Sequence, residues 1–208
     1  MPIVLEVEVP IACFRQSHST GYLETYPVPP PATVYGMLLS LVGETNRYEH
    51  CGTRIAIALL SEPQESTVIR TFHRYKKRDI HDPSNIRPGY QKLLTDIRLM
   101  VWVDTGVDSA QPTLVERLQR AFASPALIDR FGGLFLGESR DLVNAVTLVK
   151  NLDGGAVRWL VKDEQGDLRV PYWVDHIGAQ HTRWLRYVFQ QATLHEPPDS
   201  AWTVIQAS

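Results

Sequence analysis

Cysteine and long apolar runs are both scarce in this sequence. Two cysteines, Cys13 and Cys51, among 208 residues do not supply a disulfide framework, so a reducing cytoplasm is the expected compartment. No apolar run approaches the roughly 20 residues that a membrane helix needs, so we expect no contact with a membrane. The opening residues, MPIVLEVEV, carry glutamates where a secretory signal carries basic residues, which argues against export.

The sequence also lacks an excess of basic charge. Lysine and arginine total 21 against 23 aspartates and glutamates, a net charge of −2. An independent nucleic-acid binder usually carries a clear basic excess, because neutralised phosphates supply much of the affinity. Any such contact must therefore come from a local patch or from a surface shared with partners. There is no phosphate-binding GxxxxGK[ST] loop and no close pairing of zinc ligands, so we expect no cofactor and no metal.

Apolar residues recur along the chain with two different spacings, one typical of strands and one typical of helices. Period-two alternation predicts strands at 3–11, 54–60, 67–75, 97–103 and 143–149. Helical spacing predicts a first helix with Thr33 as its N-cap and Gly43 at its end. Its core stripe comprises Val34, Met37, Leu38, Leu41 and Val42. A second helix is predicted at Thr113, which forms a capping box with Glu116.

This order of elements predicts an α+β fold, a ferredoxin-like (RRM-like) domain over residues 1–150 with an insertion at about 76–89. The strand patterns at 157–161 and 168–174, on either side of Gln165-Gly166, predict a C-terminal β-hairpin within an extension spanning 151–208. No regular pattern is readable beyond about His176, and the tail after Leu194 is expected to be poorly ordered.

Three segments carry a resemblance to a known family. A loop, a proline run and a helix follow one another in Phe14-Arg15…Tyr26-Pro-Val-Pro-Pro-Pro-Ala-Thr-Val-Tyr-Gly36-Met-Leu38. This segment resembles the N-terminal signature of the CRISPR-associated Cas5 family. Leu134-Phe-Leu-Gly-Glu-Ser-Arg140 is similar to the family's "LG-S" segment, and Ile69-Arg70-Thr71 is a looser match. Together the matches cover the chain from residue 3 to about 150.

The resemblance implies a subunit that grips the 5′ handle of CRISPR RNA in a type I Cascade complex. Such a subunit caps the filament of backbone subunits and lies beside the large subunit, which inspects target DNA, so contact with DNA is indirect. The insertion at 76–89 corresponds to a thumb-like projection that wedges between nucleotides. In a transposon-associated system, transposition proteins would be further partners. Catalysis is usually absent, although members of one subtype cleave the precursor RNA.

The loop after the first strand is the first candidate RNA contact. It contains Phe14, Arg15, Gln16, Ser17 and His18, and Tyr26 follows within the same family signature. Single-stranded RNA is bound through phosphates, splayed bases and 2′-hydroxyls, which calls for forked donors and short polar groups. Arg15 can clamp a phosphate, and Phe14 or Tyr22 can stack on a base. The alternative is a solvated loop whose arginine forms a surface ion pair.

The start of the first helix is the second candidate. The candidate contacts there are Thr33, Tyr35 and Gly36, and the free N–H groups around Val34 to Gly36 suit an anion. Gly36 lies off the core stripe, where it costs about 1 kcal/mol relative to alanine, so a closely approaching backbone or phosphate would explain it. The alternative is that the proline run and helix simply pack on a sheet.

The densest basic run is the third candidate: Arg70, His73, Arg74, Lys76, Lys77 and Arg78, with Phe72 and Tyr75 between them. Interleaved bases and aromatics suit single-stranded RNA. A charged edge strand that discourages aggregation is the alternative. The same run raises a metal-free ribonuclease as a second hypothesis, in which His73, Tyr75, Lys76 and His81 transfer the protons.

The last candidate is the turn with Gly137, Ser139 and Arg140, which can line a phosphate or simply form a tight turn. Trp159, Trp173 and Trp184 are expected in the core or in subunit contacts, since large aromatics favour interfaces. A third hypothesis is therefore a protein-interaction subunit that barely touches RNA.

Overall fold

The computed structural model describes residues 2–17, 22–73, 76–175 and 181–207. The helices are α1 (Pro31–Leu41) and α2 (Leu114–Ala123). The strands are β1 (Ile3–Ala12), β2 (Tyr22–Leu23), β3 (Arg54–Leu59), β4 (Gln64–His73), β5 (Ile86–Asp104), β6 (Ala145–Leu148), β7 (Ala156–Lys162), β8 (Leu168–Trp173), β9 (Arg183–Thr193) and β10 (Thr203–Val204). They form one sheet in the order β6-β1-β5-β3-β7-β9-β8, with β10 on β3 and with β2 and β4 on β5. The fold is therefore α+β.

The first strand lies inside this sheet, antiparallel to β5 on one side and to β6 on the other. Its alternating residues Leu5 and Val7 lie opposite Val101 and Leu99 and are fully buried. The predicted alternation at 3–11 is confirmed, because one face of the strand packs against both helices while its glutamates stay outside. The predicted strands at 54–60 and 143–149 correspond to β3 and β6.

The first helix begins earlier than predicted. Pro31 occupies its first position, where the missing N–H and fixed φ of proline suit a helix start. Thr33 is therefore inside the first turn and is not the N-cap. The helix ends at Leu41, and Gly43 follows with φ +69°, as its position predicted. Neither helix of the described chain is long and apolar enough to cross a membrane.

The second helix begins where the capping box predicted. The Thr113 hydroxyl accepts from the Glu116 N–H at 3.4 Å, and the Glu116 carboxylate accepts from the Thr113 N–H at 2.9 Å. One face of α2 is buried against the core through Leu114, Val115, Leu118 and Ala121.

A long hairpin projects from the sheet. Its arms are β4 and the first half of β5, paired from Gln64↔Thr95 to His73↔Ile86. The predicted strand at 67–75, described as far as His73, thus belongs to a projection off the main path of the sheet. At the tip, the N–H groups of Lys76 and Lys77 donate to Asn85 Oδ1 at 2.8 and 3.0 Å.

The predicted C-terminal hairpin is wrong. Strands β7 and β8 do not pair with each other, because β9 lies between them, with Phe189 opposite Leu160 and Leu185 opposite Val170. Gly166 indicated a hairpin turn, but it is needed for close packing against β9: a Cβ at this position would lie 2.4 Å from the Tyr187 carbonyl oxygen. Pairing of β7 with β3, at Ala58↔Trp159, makes this region part of the main sheet.

The expectation of a poorly ordered tail is also wrong. After Leu194, which is buried, the chain forms a 3₁₀ turn and then β10, which pairs with β3. Ile205 is fully buried, its N–H donates to Thr53 O at 2.9 Å, and its carbonyl accepts from Gly52 N at 2.7 Å.

Truncating the buried Ile205 side chain should destabilise the fold. Ile205→Ala is expected to lower the free energy of unfolding by about 2–5 kcal/mol, because a fully buried side chain leaves a cavity. The neighbouring Gln206 is exposed, so Gln206→Ala should stay within about 0.5 kcal/mol of the wild type. Urea denaturation followed by tryptophan fluorescence compares the two, and equal stabilities would contradict an anchored tail.

The sheet face opposite the helices carries a second apolar cluster. The Trp102 and Trp159 rings lie 4.6 Å apart between centroids, and Ala56, Ala58 and Met100 surround them. The segment after β9 covers this cluster through Leu194, Ala201 and Trp202. This face is therefore closed by the chain itself.

A buried polar network ties the two helices together. Asp108 Oδ2 accepts from Leu114 N at 3.0 Å and contacts His50 Nδ1 at 3.0 Å, with both side chains fully buried. Arg117 Nη1 lies 3.2 Å from His50 Nε2 and also bonds Glu44. Because the arginine can only donate, His50 accepts at Nε2 and donates from Nδ1 to Asp108.

Candidate functional site

Three separate segments meet at one end of the sheet: the end of β1, the base of the hairpin and the turn at 137–141. The Cys13 N–H donates to Asp141 Oδ2 at 2.9 Å. Gln91 of β5 donates from Nε2 to Glu138 at 3.1 Å, and Arg140 bonds both Gln91 and Glu138. The structure thus brings together the three motifs that lie far apart in the sequence.

Asp141 holds this junction together. Its carboxylate is buried and accepts a second hydrogen bond, from Glu138 N at 2.8 Å. Burial raises the pKa of the Asp141 carboxyl, and the two N–H donors and the nearby Arg70 charge oppose that rise. Gly137 has φ +120°, and a Cβ there would lie 2.6 Å from Asp141 Oδ2. Only glycine allows this turn to close over the carboxylate.

Asp141→Ala is expected to lower the free energy of unfolding by about 2–4 kcal/mol, because two backbone N–H groups lose their buried acceptor. Asp141→Asn keeps one oxygen for both donors, so its loss should be below about 1.5 kcal/mol. Thermal and urea unfolding of the two variants measure the difference, and equal losses would mean that the hydrogen bonds at this junction contribute little.

The loop after β1 is held as a narrow two-stranded ladder. Tyr26 N donates to Phe14 O at 2.8 Å, and Gln16 N donates to Glu24 O at 3.0 Å. Arg15 forms an isolated β-bridge with Thr25, and both Arg15 and Ser17 are exposed. Gln16 is half-buried, and its Nε2 donates to Thr25 O. His18 lies outside the described residues.

Two aromatic residues predicted in this loop belong to the core. Phe14 is 2% exposed and Tyr26 is 8% exposed, so neither presents a ring face to a base. The predicted stacking role of Phe14 is therefore corrected: its side chain anchors the loop. Tyr22 is exposed, as stacking requires, and lies parallel to Tyr90 with ring centroids 6.0 Å apart.

The hairpin has a basic face on the side of Gln91. Arg70 lies opposite Gly89, and Phe72 lies opposite Arg87. The half-exposed Phe72 ring packs over Gly89, where a Cβ would lie 2.3 Å from Phe72 Cε2. This face therefore alternates guanidinium groups with an aromatic ring, next to the junction at Asp141.

The other face of the hairpin carries exposed apolar and aromatic residues among polar ones. Its exposed large hydrophobic residues are Ile69, Ile86 and Tyr90. Tyr22 of β2 lies opposite Tyr90, with its hydroxyl 3.1 Å from Thr67 Oγ1, and the Lys92–Glu65 ion pair lies on the same face. Tyr90, Gln91 and Arg87 were not among the sequence-predicted contacts. Pairing of this segment with β4 could have been found by extending the strand pattern at 97–103 toward the N-terminus.

The hairpin tip presents Lys76, Lys77 and Arg78 to solvent, and His73 is exposed on its arm. Arg74 and Tyr75 lie outside the described residues. Among the described residues, no hydrogen bond joins the side chains of His73, Lys76 and His81, and no group of three His, Cys, Asp or Glu side chains could hold a metal ion.

The predicted contacts at the start of α1 are not part of this junction. The N–H groups of Thr33 and Val34 donate to Pro30 O at 2.8 and 3.1 Å, so the Val34 N–H, one of the expected free donors, is occupied. Tyr35 is fully buried, and its hydroxyl donates to Arg47 O at 2.9 Å. The group next to Gly36 is the Arg47 side chain, in place of the expected phosphate.

Comparison with known proteins gives consistent matches over nearly the whole chain. A family model described as "CRISPR-associated protein (Cas_Cas5)" matches residues 2–199. A "CRISPR-associated protein Cas5" of Myxococcus xanthus (strain DK1622) is 40% identical over 186 residues, which cover 88% of this chain and 87% of that protein.

Two solved structures share the fold at low sequence identity. One is described as "CRISPR RNA-guided surveillance complex", with a TM-score of 0.60, 14% identity and coverage of 97% of this chain and 96% of that chain. The other is described as "Crystal structure of Cas protein", with a TM-score of 0.53, 16% identity and coverage of 93% and 95%.

Proposed function

This chain belongs to the CRISPR-associated Cas5 family, and from that premise we propose that it is an RNA-binding subunit of a type I Cascade-like effector complex. It grips the 5′ handle of the guide RNA. The observation that carries this proposal is the convergence of the β1 loop, the hairpin base and the turn at 137–141 on one surface.

The chemistry of this surface suits a single RNA strand. Arg15 and Arg70 supply forked donors for phosphates, and Arg140 bonds Gln91 at the junction, with its charge partly offset by Glu138. Ser139 is exposed at the same turn and offers a hydroxyl to a phosphate or a ribose. Half-exposed Phe72 supplies a stacking surface, and such stacking is sequence-tolerant. Lys76, Lys77 and Arg78 would follow the strand outward along the hairpin.

The connectivity supports a ferredoxin-like, RRM-like domain at the centre of the fold. The elements β1, α1, β3, β5, α2 and β6 follow one another in a βαββαβ order, and the four strands lie side by side as β6-β1-β5-β3. The hairpin between β3 and the sheet portion of β5 would be the thumb-like insertion, with 76–89 near its tip. Residues 151–208 would extend the RNA-binding domain of 1–150.

The same proposal defines the partners. In a Cascade-like complex this subunit would cap the filament of backbone subunits and contact the large subunit, so it would meet target DNA indirectly. The face of the hairpin that carries Ile69, Ile86 and Tyr90 is an exposed surface suited to a neighbouring subunit.

The handle-reading role can be tested on the assembled complex. The full chain, co-expressed with the proteins encoded beside it, is offered guide RNA with the native 5′ handle or with a scrambled handle of equal length. We expect scrambling to weaken RNA binding at least tenfold, because a handle is read through the edges of its bases, whereas phosphate and stacking contacts tolerate any sequence. Unchanged affinity and assembly would remove the handle-reading claim.

The ribonuclease alternative needs a separate test, without the other subunits. Incubation of the isolated chain with precursor RNA in EDTA is expected to give no discrete cut. A discrete cut that disappears in the His73→Ala variant would replace the binding role with a processing role.

A further inference from the structure

Arg47 is a half-buried cation without a counter-ion in the described chain. Its guanidinium lies between two rings, 5.6 Å from the Tyr35 centroid and 5.4 Å from the Trp173 centroid. Nη2 donates to Ala32 O at 2.8 Å, whereas the buried Nε has no hydrogen-bond partner. The ion pairs of the described residues do not include Arg47.

The surroundings of Arg47 disfavour its positive charge. Burial lowers the pKa of the Arg47 guanidinium. The groups whose charge acts on Arg47 are the phenols of Tyr35 and Tyr48 and the thiol of Cys51. Burial raises the pKa of Tyr35 and of Cys51, which keeps both neutral near pH 7. A buried charge is normally paired with an opposite charge, so an acidic group from outside this chain would complete the site.

A pocket of about 460 Å³ lies next to this arginine. Gly36 lines it, and a Cβ there would lie 3.4 Å from Arg47 Nη1, so any longer side chain at this position would cover the nitrogen. Arg130 and Phe131 line the same pocket; both are exposed, and Phe131 is fully so, at 103%. The glycine that the helix pattern left unexplained thus keeps the guanidinium open to the pocket.

We propose that this pocket is a docking site for a segment of a partner protein that carries one acidic residue among uncharged ones. An aspartate or glutamate of that segment bonds Arg47 Nη1 and Arg130, and an apolar neighbour of the acidic residue packs on Phe131. Arginine and aromatic residues are enriched in protein interfaces.

Negative charge on the pocket walls favours a protein ligand over an RNA ligand. Glu44 and Asp129 also line the pocket, and their carboxylates repel a strand that carries one negative charge per nucleotide. A single carboxylate beside uncharged residues avoids most of that repulsion. The inference relies on the proposed function only in taking the partner to be another subunit of the effector complex.

The test places a photo-cross-linker in the pocket. Phe131 is replaced by p-benzoylphenylalanine in the full chain, which is co-expressed with the proteins encoded beside it and with a CRISPR array. After irradiation of the purified complex, cross-linked peptides are sequenced by mass spectrometry. We expect one protein peptide with Asp or Glu within a few residues of the cross-link, and at least a fivefold lower yield in Arg130→Gln and Arg47→Gln backgrounds.

Three control variants distinguish a lost partner contact from a loss of stability. Arg130 is exposed, so Arg130→Gln tests the site even if Arg47→Gln lowers stability. Arg120→Gln, on the exposed face of α2 and outside the pocket lining, should leave the yield unchanged. Arg130→Lys keeps the positive charge and should retain most of the cross-link.

Three outcomes would overturn the inference: a cross-link to RNA, a mapped peptide without an acidic residue, or no protein cross-link in an assembled complex. Protection of the handle from nuclease is measured in the same samples. A lost cross-link with intact protection rejects the docking site alone, and lost protection with an intact cross-link rejects the RNA-binding role alone.

Discussion

Reversing the charge of Arg15 and Arg70 together is expected to weaken binding of the handle RNA by about 10²–10⁴-fold. Both residues become glutamate in this variant. Each arginine is proposed to hold a phosphate through charge-assisted hydrogen bonds worth about 1.5–3 kcal/mol, and the new carboxylates add repulsion. Loss of two phosphate contacts should also reduce the slope of log K against log salt by about 1.4 for a single strand.

The binding constants are measured with the assembled complex at several salt concentrations. A matched control reverses Arg120 and Lys150, two exposed residues that lie away from the three converging segments. This control changes the net charge by the same amount, so a difference between the two variants reports where the charges lie and not how many there are. If both double variants weakened binding equally, the affinity would depend on overall charge, and the proposed surface would be wrong. Melting temperatures are recorded because Arg70 lies near Asp141.

Asp108→Ala is expected to have the largest effect on stability, about 3–5 kcal/mol. The carboxylate accepts from the backbone N–H groups of Ala110 and Leu114, both at 3.0 Å, and contacts fully buried His50. Removing it leaves these donors without an acceptor in the core, and the link between α2 and the segment before β3 is lost.

Urea unfolding at neutral pH measures this loss. Asp167 is exposed in the turn between β7 and β8, so Asp167→Ala should change stability by less than about 0.5 kcal/mol. A small effect of Asp108→Ala would mean that water replaces the carboxylate and that the network is not a structural tie.

Local patterns predicted the central elements well. Alternation in β1 and the capping box of α2 are signals within a few residues, and both are confirmed. Strand β9 has no such alternation: Tyr187 and Phe189 contact the helix-side cluster and Val188 contacts the cluster around Trp102, while most of the strand is half-buried or exposed. Its insertion between β7 and β8 is a long-range pairing, which the local spacing of apolar residues could not predict.

The candidate site was predicted only in part for a similar reason. Motif matching pointed to the β1 loop and the turn at 140, and the structure brings these together through Asp141 and Gln91. Composition could not show that Phe14 and Tyr35 are core residues, because an aromatic residue in a loop or on a helix can face either way. Burial is decided by contacts with residues far along the chain.

Pairing along β3 has a consequence for synthesis on the ribosome. One edge of β3 pairs with β5, but the other is completed only by β7 and β10. Until those residues emerge, the nascent chain carries an unpaired strand edge beside the exposed apolar side chains of Ala58 and Trp102. A fragment that ends near residue 150 is therefore expected to self-associate, and the subunit would become competent for assembly only once β10 has closed that edge.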